Sequence, residues 1–375
     1  MRFMVDGTID QNLWGDAYLA RIVEQAETSL AVPIGHITDH VALLSAGGPH
    51  DFYSNGDYWW PNPDTTTGLP YVRQDGQSNP AAFLEHRRIL RQMRSHVANL
   101  TAGYLVTDNA CFAHRAISWL QEFFLDEGTK MNPHLLYGQA VPGRCSGRSI
   151  GIIDTLHLID VPVAIEKLKL AGIMCTETYQ ELQQWFTHYL AWMTTHPYGI
   201  EEMNAKNNHG VCWHVQASLL AKFTQNQQVT DRCIDRFKTR LLPDQMALDG
   251  SFPAEIKRTK PYGYSIFQLD NMINLCHILS TPEESLWEFQ LADGRSIQRG
   301  LDYLYPYLVD KQTWPYQPDI QSHQYWPVAL AGLLFAGVAL QQQDYVRLWR
   351  ELEKDPADEE VRRNMAIRQP ILWLQ

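Results

Sequence analysis

The sequence predicts an all-α protein, and three observations carry that prediction. Apolar residues recur at three-and-four spacing over many long stretches, strand-like alternation is scarce, and the connecting segments are rich in Pro, Gly and aromatic residues. In chain order the helical stretches are 83–100, 110–125, 176–193, 211–223, 233–242, 266–279, 297–308 and 328–340. Such spacing gives each helix an apolar stripe that has to be buried against a neighbour. Long helices joined by turns of this kind read as helical hairpins packed in a ring. The helices of a ring are spent on packing, so functional groups are expected from loops at one end. On this reading His209 stands at a helix start and Tyr264 just before another helix.

Length and composition fit one domain spanning residues 1–375, because 45% hydrophobic content can fill a large core and no linker-like stretch interrupts the chain. The formal net charge of −11 argues against nucleic acid as a partner and gives no bulk steering of an acidic polymer. Recognition of an anion would then fall to local cations such as Arg73, Arg144, Arg148, Lys257, Arg258 and Lys260. The six cysteines show no CxxC or framework spacing, and reduced core thiols are the expectation. The first residues lack the apolar run of a secretory signal and no stretch is long enough to span a membrane. As given, the chain reads as cytoplasmic, with a periplasmic or secreted enzyme whose signal has been removed as the alternative.

The residues that carry chemistry fall in two polar segments about fifty residues apart, Asn207-Asn208-His209 and Lys257-Arg258-Thr259-Lys260-Pro261-Tyr262-Gly263-Tyr264. Singly, each has a plain structural reading: a helix cap, a histidine bonded at that cap, an aromatic turn. As a set they supply what β-elimination from a uronic acid polysaccharide needs. The uronate carboxylate must be neutralised before the C5 proton becomes acidic enough to remove, and the planar donors of Asn208 and Arg258 suit it. His209 titrates near neutrality and can accept that proton. Tyr264 starts near pKa 10 and can protonate the leaving oxygen, or act as base if a cation lowers it. Arg258, six residues earlier, is the candidate cation.

With these residues the chain resembles the alginate lyase superfamily, whose members cleave alginate or glucuronan. The resemblance rests on Asn-Asn-His before a helix, on Asp249-Gly250-Ser251-Phe252-Pro253-Ala254-Glu255-Ile256-Lys257-Arg258, and on Tyr264. Ser54-Asn55-Gly56-Asp57-Tyr58-Trp59-Trp60-Pro61, Met131-Asn132-Pro133-His134-Leu135-Leu136-Tyr137-Gly138-Gln139 and Gly147-Arg148-Ser149-Ile150-Gly151-Ile152 extend it over about residues 50–280. It looks closer to polysaccharide lyase family 38 than to family 5, which has His after the matching Tyr where this chain has Ser265. The resemblance implies an (α/α) toroid with a cleft formed by long loops, and catalytic roles for Asn208, His209, Arg258 and Tyr264. It also places Tyr137, Gln139 and Arg148 along the substrate groove. Tyr58, Trp59 and Trp60 offer flat faces for sugar rings. Together with Arg73, Asn207, Lys257, Lys260 and Tyr262 these complete the expected substrate-binding set.

Neither a metal nor another cofactor is expected. His209 and His214, five residues apart, point to different helix faces, and neither HExxH nor CxxC spacing is present. Glycoside hydrolysis on a similar helical ring is the alternative activity. It requires two carboxyl groups across a sugar, and Asp57, Asp75, Asp154 and Asp249 are available for that. A non-catalytic carbohydrate-binding protein would keep the aromatics without needing both His209 and Tyr264.

Overall fold

The structure, a computed structural model, describes residues 11–374. The segment 1–10, read above for a secretory signal, lies outside the described residues. The principal helices are α1 (Asp16–Ala31), α2 (Glu85–Thr107), α3 (Ala110–Phe124), α4 (Asp160–Leu170), α5 (Thr176–Thr195) and α6 (Pro197–Met203). They continue with α7 (Asn208–Phe223), α8 (Gln227–Arg236), α9 (Pro261–Leu279), α10 (Ile297–Val309), α11 (Ala331–Ala339) and α12 (Gln343–Glu351). Neighbours in sequence pack as hairpins, α1 on α2, α2 on α3, α7 on α8 and α11 on α12, and the hairpins stand side by side through α7, α9 and α11. The result is an α/α toroid. Residues on nearly all sides of α7 and α9 are buried, as expected for helices walled in by others. The outer helix α12 buries only the stripe Tyr345, Val346 and Trp349.

Local sequence explains most helix starts. Asn109, Asn207, Asn226 and Ser296 each accept a backbone N–H of the first turn of α3, α7, α8 and α10. Helix α9 departs from the sequence reading: it begins at Pro261, so Tyr264 lies inside its first turn and not before it. Pro261 is preset for the first helical position, and the free N–H groups of Tyr262 and Gly263 donate to the Asp319 carboxylate at 2.8 and 2.9 Å. That cap comes from far along the chain and leaves no local signal. The stretch 233–242 is helical but contains a wide π turn at Phe237–Leu241. Helices α1, α4, α6 and α12 are not among the stretches expected from the sequence. Cys212, Cys233 and Cys276 are core thiols, whereas Cys111, Cys145 and Cys175 are exposed, contrary to the expectation for these three. No helix among the described residues is long and apolar enough to cross a membrane.

Two short pairs of strands hold the loops at one end of the ring. Strand β1 (Tyr53–Asn55) pairs in parallel with β4 (Tyr137–Ala140), and β2 (Trp59–Trp60) pairs antiparallel with β3 (Val72–Arg73). The C-terminal segment is fastened beside them. Asp160, fully buried, accepts from the indole of Trp373 at 2.9 Å, from Arg94 at 3.2 Å and from the backbone N–H of Arg368. This anchor fixes the strand of chain that carries Arg363 into the loop end. Asp160→Ala leaves Arg94 buried without its partner and is expected to cost about 3–5 kcal/mol. A urea midpoint unchanged from the parent protein would contradict that assignment.

Candidate active site

The loops, the first turns of α7 and α9, and the segment around Arg363 enclose a cleft of about 310 Å³. At the start of α7, the Asn207 side chain accepts the His209 N–H at 3.2 Å, which turns His209 into the cleft. Gly210 is required there, because a Cβ would lie 2.1 Å from the Ala205 carbonyl oxygen. The His209 Nδ1 meets Glu202 Oε1 of α6 at 2.6 Å, and Glu202 is only 2% exposed. A neutral imidazole that spends its Nδ1–H on this carboxylate keeps the Nε2 lone pair for the cleft. Asn208 is held as firmly: its backbone N–H and Nδ2 donate to the two oxygens of Glu255 at 2.8 and 2.7 Å. Burial pushes the Glu255 carboxyl up, and the two Asn208 donors pull it back.

Two residues, Tyr58 and Arg258, make three contacts with the phenol of Tyr264. Tyr58 Oη lies 2.6 Å from Tyr264 Oη, Arg258 Nη2 donates to it at 3.3 Å, and the Arg258 guanidinium stands 4.4 Å from the Tyr264 ring centroid. Burial pushes this phenol well above its ordinary range, and the neighbouring phenol adds to the rise, while Arg258 and Arg363 pull the other way. The expected lowering by Arg258 is therefore present but outweighed, and Tyr264 rests protonated. Arg258 itself forks onto Asp75 at 3.0 and 3.2 Å. Gly76, in the left-handed region at φ 74°, lets that loop approach Thr259, where a Cβ would come within 2.2 Å of Oγ1.

Other arginines brace the walls. Arg87 bridges Asp57 and Asp154, and Arg363 binds Asp57, Glu360 and the Tyr58 hydroxyl, the last at 3.0 Å. Burial alone would raise Asp57, but Arg87 and Arg363 hold it well below the usual carboxylate range. Arg148 donates to the Gln139 carbonyl at 2.8 Å and its guanidinium lies 5.6 Å from the Trp59 ring.

Of the residues singled out from sequence, Tyr58, Trp59, Arg73, Gln139, Arg148, Asn207, Asn208, His209, Arg258 and Tyr264 all line this one cleft. Five do not, and each has a physical reason. Tyr262 is fully buried and donates to the Tyr307 carbonyl. Lys260 is buried in an ion pair with Glu360 at 2.8 Å. Lys257 projects to solvent. The indole of Trp60 donates to the Gln77 carbonyl, and Tyr137 packs edge-on against His134. Sequence reasoning missed Arg87, Arg91, Glu202, Glu255 and Arg363. Arg87 and Arg91 sit within a helical packing pattern, and Glu202 lies in a short helix outside the two polar segments. Arg363 lies beyond the recognisable motifs, so no signal could have found it.

Guanidinium groups crowd a cleft that also presents an imidazole and a phenol, on a toroid of helical hairpins. That combination defines a polysaccharide lyase for an acidic substrate. A sequence model described as alginate lyase matches residues 36–314, and the chain belongs to that family. The crystal structure of an alginate lyase from Bacteroides ovatus superposes with a TM-score of 0.79 at 30% identity, covering 96% of this chain and 100% of that one. Alginate lyase A1-III from a Sphingomonas species matches at 12% identity with a TM-score of 0.55, covering 88% of each chain. A histidine variant of that enzyme complexed with tetrasaccharide matches at 12% identity with a TM-score of 0.58 and the same coverage. At such identity the A1-III likeness is one of fold. No curated protein matches the chain.

The Glu202 contact fixes the tilt of the His209 ring. Glu202→Gln is expected to lower kcat at least about tenfold with KM little changed, part of what a positioned general base contributes. Steady-state kinetics with an unchanged kcat would remove Glu202 from the site.

Proposed function

We propose that the protein depolymerises 1,4-linked uronic acid polymers, alginate first among them, by β-elimination that leaves a 4,5-unsaturated uronate end. The observation that carries this reading is that His209 and Tyr264 face one cleft lined by six arginines and two carboxylates. Arg91 among them makes no hydrogen bond or ion pair within the described residues. Burial beside Arg87 and Arg363 pushes it down to about 10, a crowding that an anionic sugar would relieve.

The reaction follows from the positions. The uronate carboxylate binds the free N–H of Asn208 and the Nη1 edge of Arg258, which the Asp75 fork leaves open. Neutralising it lowers the cost of the enolate that forms when C5 loses its proton. Where C5–H and O4 lie on opposite faces of the sugar, His209 Nε2 takes the proton and Tyr264, protonated at rest, delivers its own to O4 as the C4–O4 bond breaks. Where they share a face, Tyr264 performs both transfers and His209 helps hold the carboxylate.

Hydrolysis is disfavoured by the state of the acids. It needs one carboxyl raised to act as acid. Asp57 is held ionised by Arg87 and Arg363, and Asp75 is lowered by Arg258 despite its burial. Asp249 instead accepts the Ser251 N–H at 2.9 Å and does not line the cleft.

Unsaturated uronate absorbs in the ultraviolet, so turnover is followed directly. Tyr264→Phe should keep the fold and substrate binding while kcat falls roughly a hundredfold or more, the scale of acid–base catalysis. A folded variant with unimpaired kcat would refute the role of the phenol. His209→Ala should be severe on an opposite-face uronate and milder on a same-face one. Arg258→Lys keeps charge but loses planar geometry, and should lose at least about tenfold in kcat/KM. No ultraviolet product from alginate or glucuronan would overturn the reading as a whole.

A further inference from the structure

Two phenols 2.6 Å apart are unusual neighbours in a cleft where one is to give up a proton. Each is backed by a guanidinium, Arg258 on the Tyr264 oxygen at 3.3 Å and Arg363 on the Tyr58 oxygen at 3.0 Å. Arginine only donates, so both guanidinium groups approach oxygen lone pairs and neither can take a phenolic proton. The four groups form a line, Arg363, Tyr58, Tyr264, Arg258, with one proton between the two oxygens and a second free to face the cleft.

Arg363 is placed for this with little freedom. It follows the single turn Glu359–Arg362, which Asp358 caps by accepting the Val361 N–H at 2.9 Å. Ion pairs to Asp57 and Glu360 fix its other edges. It stands outside residues 36–314, the part of the chain that the family model matches.

We propose that the proton-transfer group of this site is the hydrogen-bonded pair Tyr58–Tyr264, and that Arg363 is the positioning residue that lets Tyr58 share the charge. The inference rests on the reading of Tyr264 given above. When Tyr264 protonates O4, its O–H bond breaks, the O4–H bond forms and the electron pair stays on Tyr264 Oη. The Tyr58 proton then moves along the short bond toward Tyr264, and the negative charge spreads onto an oxygen already held by Arg363. Hydrogen-bond chains of this kind polarise one another, and the pair loses its first proton as a unit. The charged groups around it are Arg258, Lys260, whose ammonium lies 5.3 Å from the Tyr58 ring centroid, and Arg363. Their acidic counterparts are Asp75 on Arg258, Glu360 on Lys260 and Arg363, and Asp57 shared by Arg363 and Arg87. Of these cations, Arg258 and Arg363 are the ones that donate to the phenolic oxygens.

The test reads the ionisation of the pair in two ways. One is the pH dependence of kcat on alginate. The other is a titration of protein carrying carbon-13 at the tyrosine ring carbon beside the hydroxyl, with signals assigned by Tyr58→Phe and Tyr264→Phe, which needs no turnover. Removing a cation from the pair raises its first ionisation, so in Arg363→Gln the apparent pKa should rise by about one unit, the scale of an adjacent opposite charge. The limb of the rate profile governed by the phenols moves the same way whether the pair acts as acid or as base. In that variant kcat should fall about tenfold while KM changes less than about threefold. Arg363→Lys should recover part of the shift, and Arg362→Gln, an exposed neighbour, should give none. Tyr58→Phe leaves the Arg363 ion pairs intact and so serves if Arg363→Gln disturbs folding. In the Tyr58→Phe background most of the Arg363→Gln shift should vanish. An unshifted titration in Arg363→Gln, or a full shift that survives without the Tyr58 hydroxyl, overturns the proposal even if Tyr264→Phe remains inactive. A Tyr264→Phe variant with full activity overturns the underlying reading instead.

Discussion

One wall of the cleft depends on the Asp57 carboxylate between two arginines. Arg87 belongs to helix α2, Arg363 to the C-terminal segment, and Asp57 to the loop before β2. Three parts of the chain that share no local sequence are thereby joined at one point. The carboxylate is held ionised because two guanidinium groups outweigh its burial. Such a junction is costly to break, since removing one partner strands the others in a poorly solvated place. Tyr58 follows Asp57 directly, so the same junction brings its hydroxyl to Tyr264.

The charge distribution reconciles two facts that look opposed. The whole chain carries a net charge of −11, yet its cleft concentrates guanidinium groups. Solvent screens the outer acids over distances of about 10 Å, whereas the arginines act at hydrogen-bond range. Most of them are already paired with wall carboxylates, which positions them without a ligand. The charge left for an incoming uronate is correspondingly local, at Arg91, at Arg148 and at the open edge of Arg258.

Burial sets the division of labour between imidazole and phenol. Glu202 orients His209 through its Nδ1. Tyr264 is desolvated strongly enough that its proton is retained despite the arginine stacked on its ring. The site therefore sets an oriented imidazole and a protonated phenol in one cleft. Chemistry that requires the phenol to begin as a base must first draw on its neighbours, which is where the second phenol and its guanidinium matter.

Helical periodicity was enough to reveal an all-α ring, because amphipathic spacing is a local property repeated every turn. The segments 207–209 and 257–264 likewise put the proposed catalytic set in plain view, since the chemistry of elimination constrains residue type. What the linear pattern could not contain was orientation. Lys260 and Tyr262 share a segment with Arg258 and Tyr264, but the start of α9 at Pro261 turns them toward Glu360 and the Tyr307 carbonyl. That helix start is set by Asp319, and Arg363 reaches the cleft only because Asp160 anchors the end of the chain. Residue chemistry is written along the sequence, whereas the direction of a side chain depends on caps and ion pairs whose partners lie far away, and those exist only once the ring has closed.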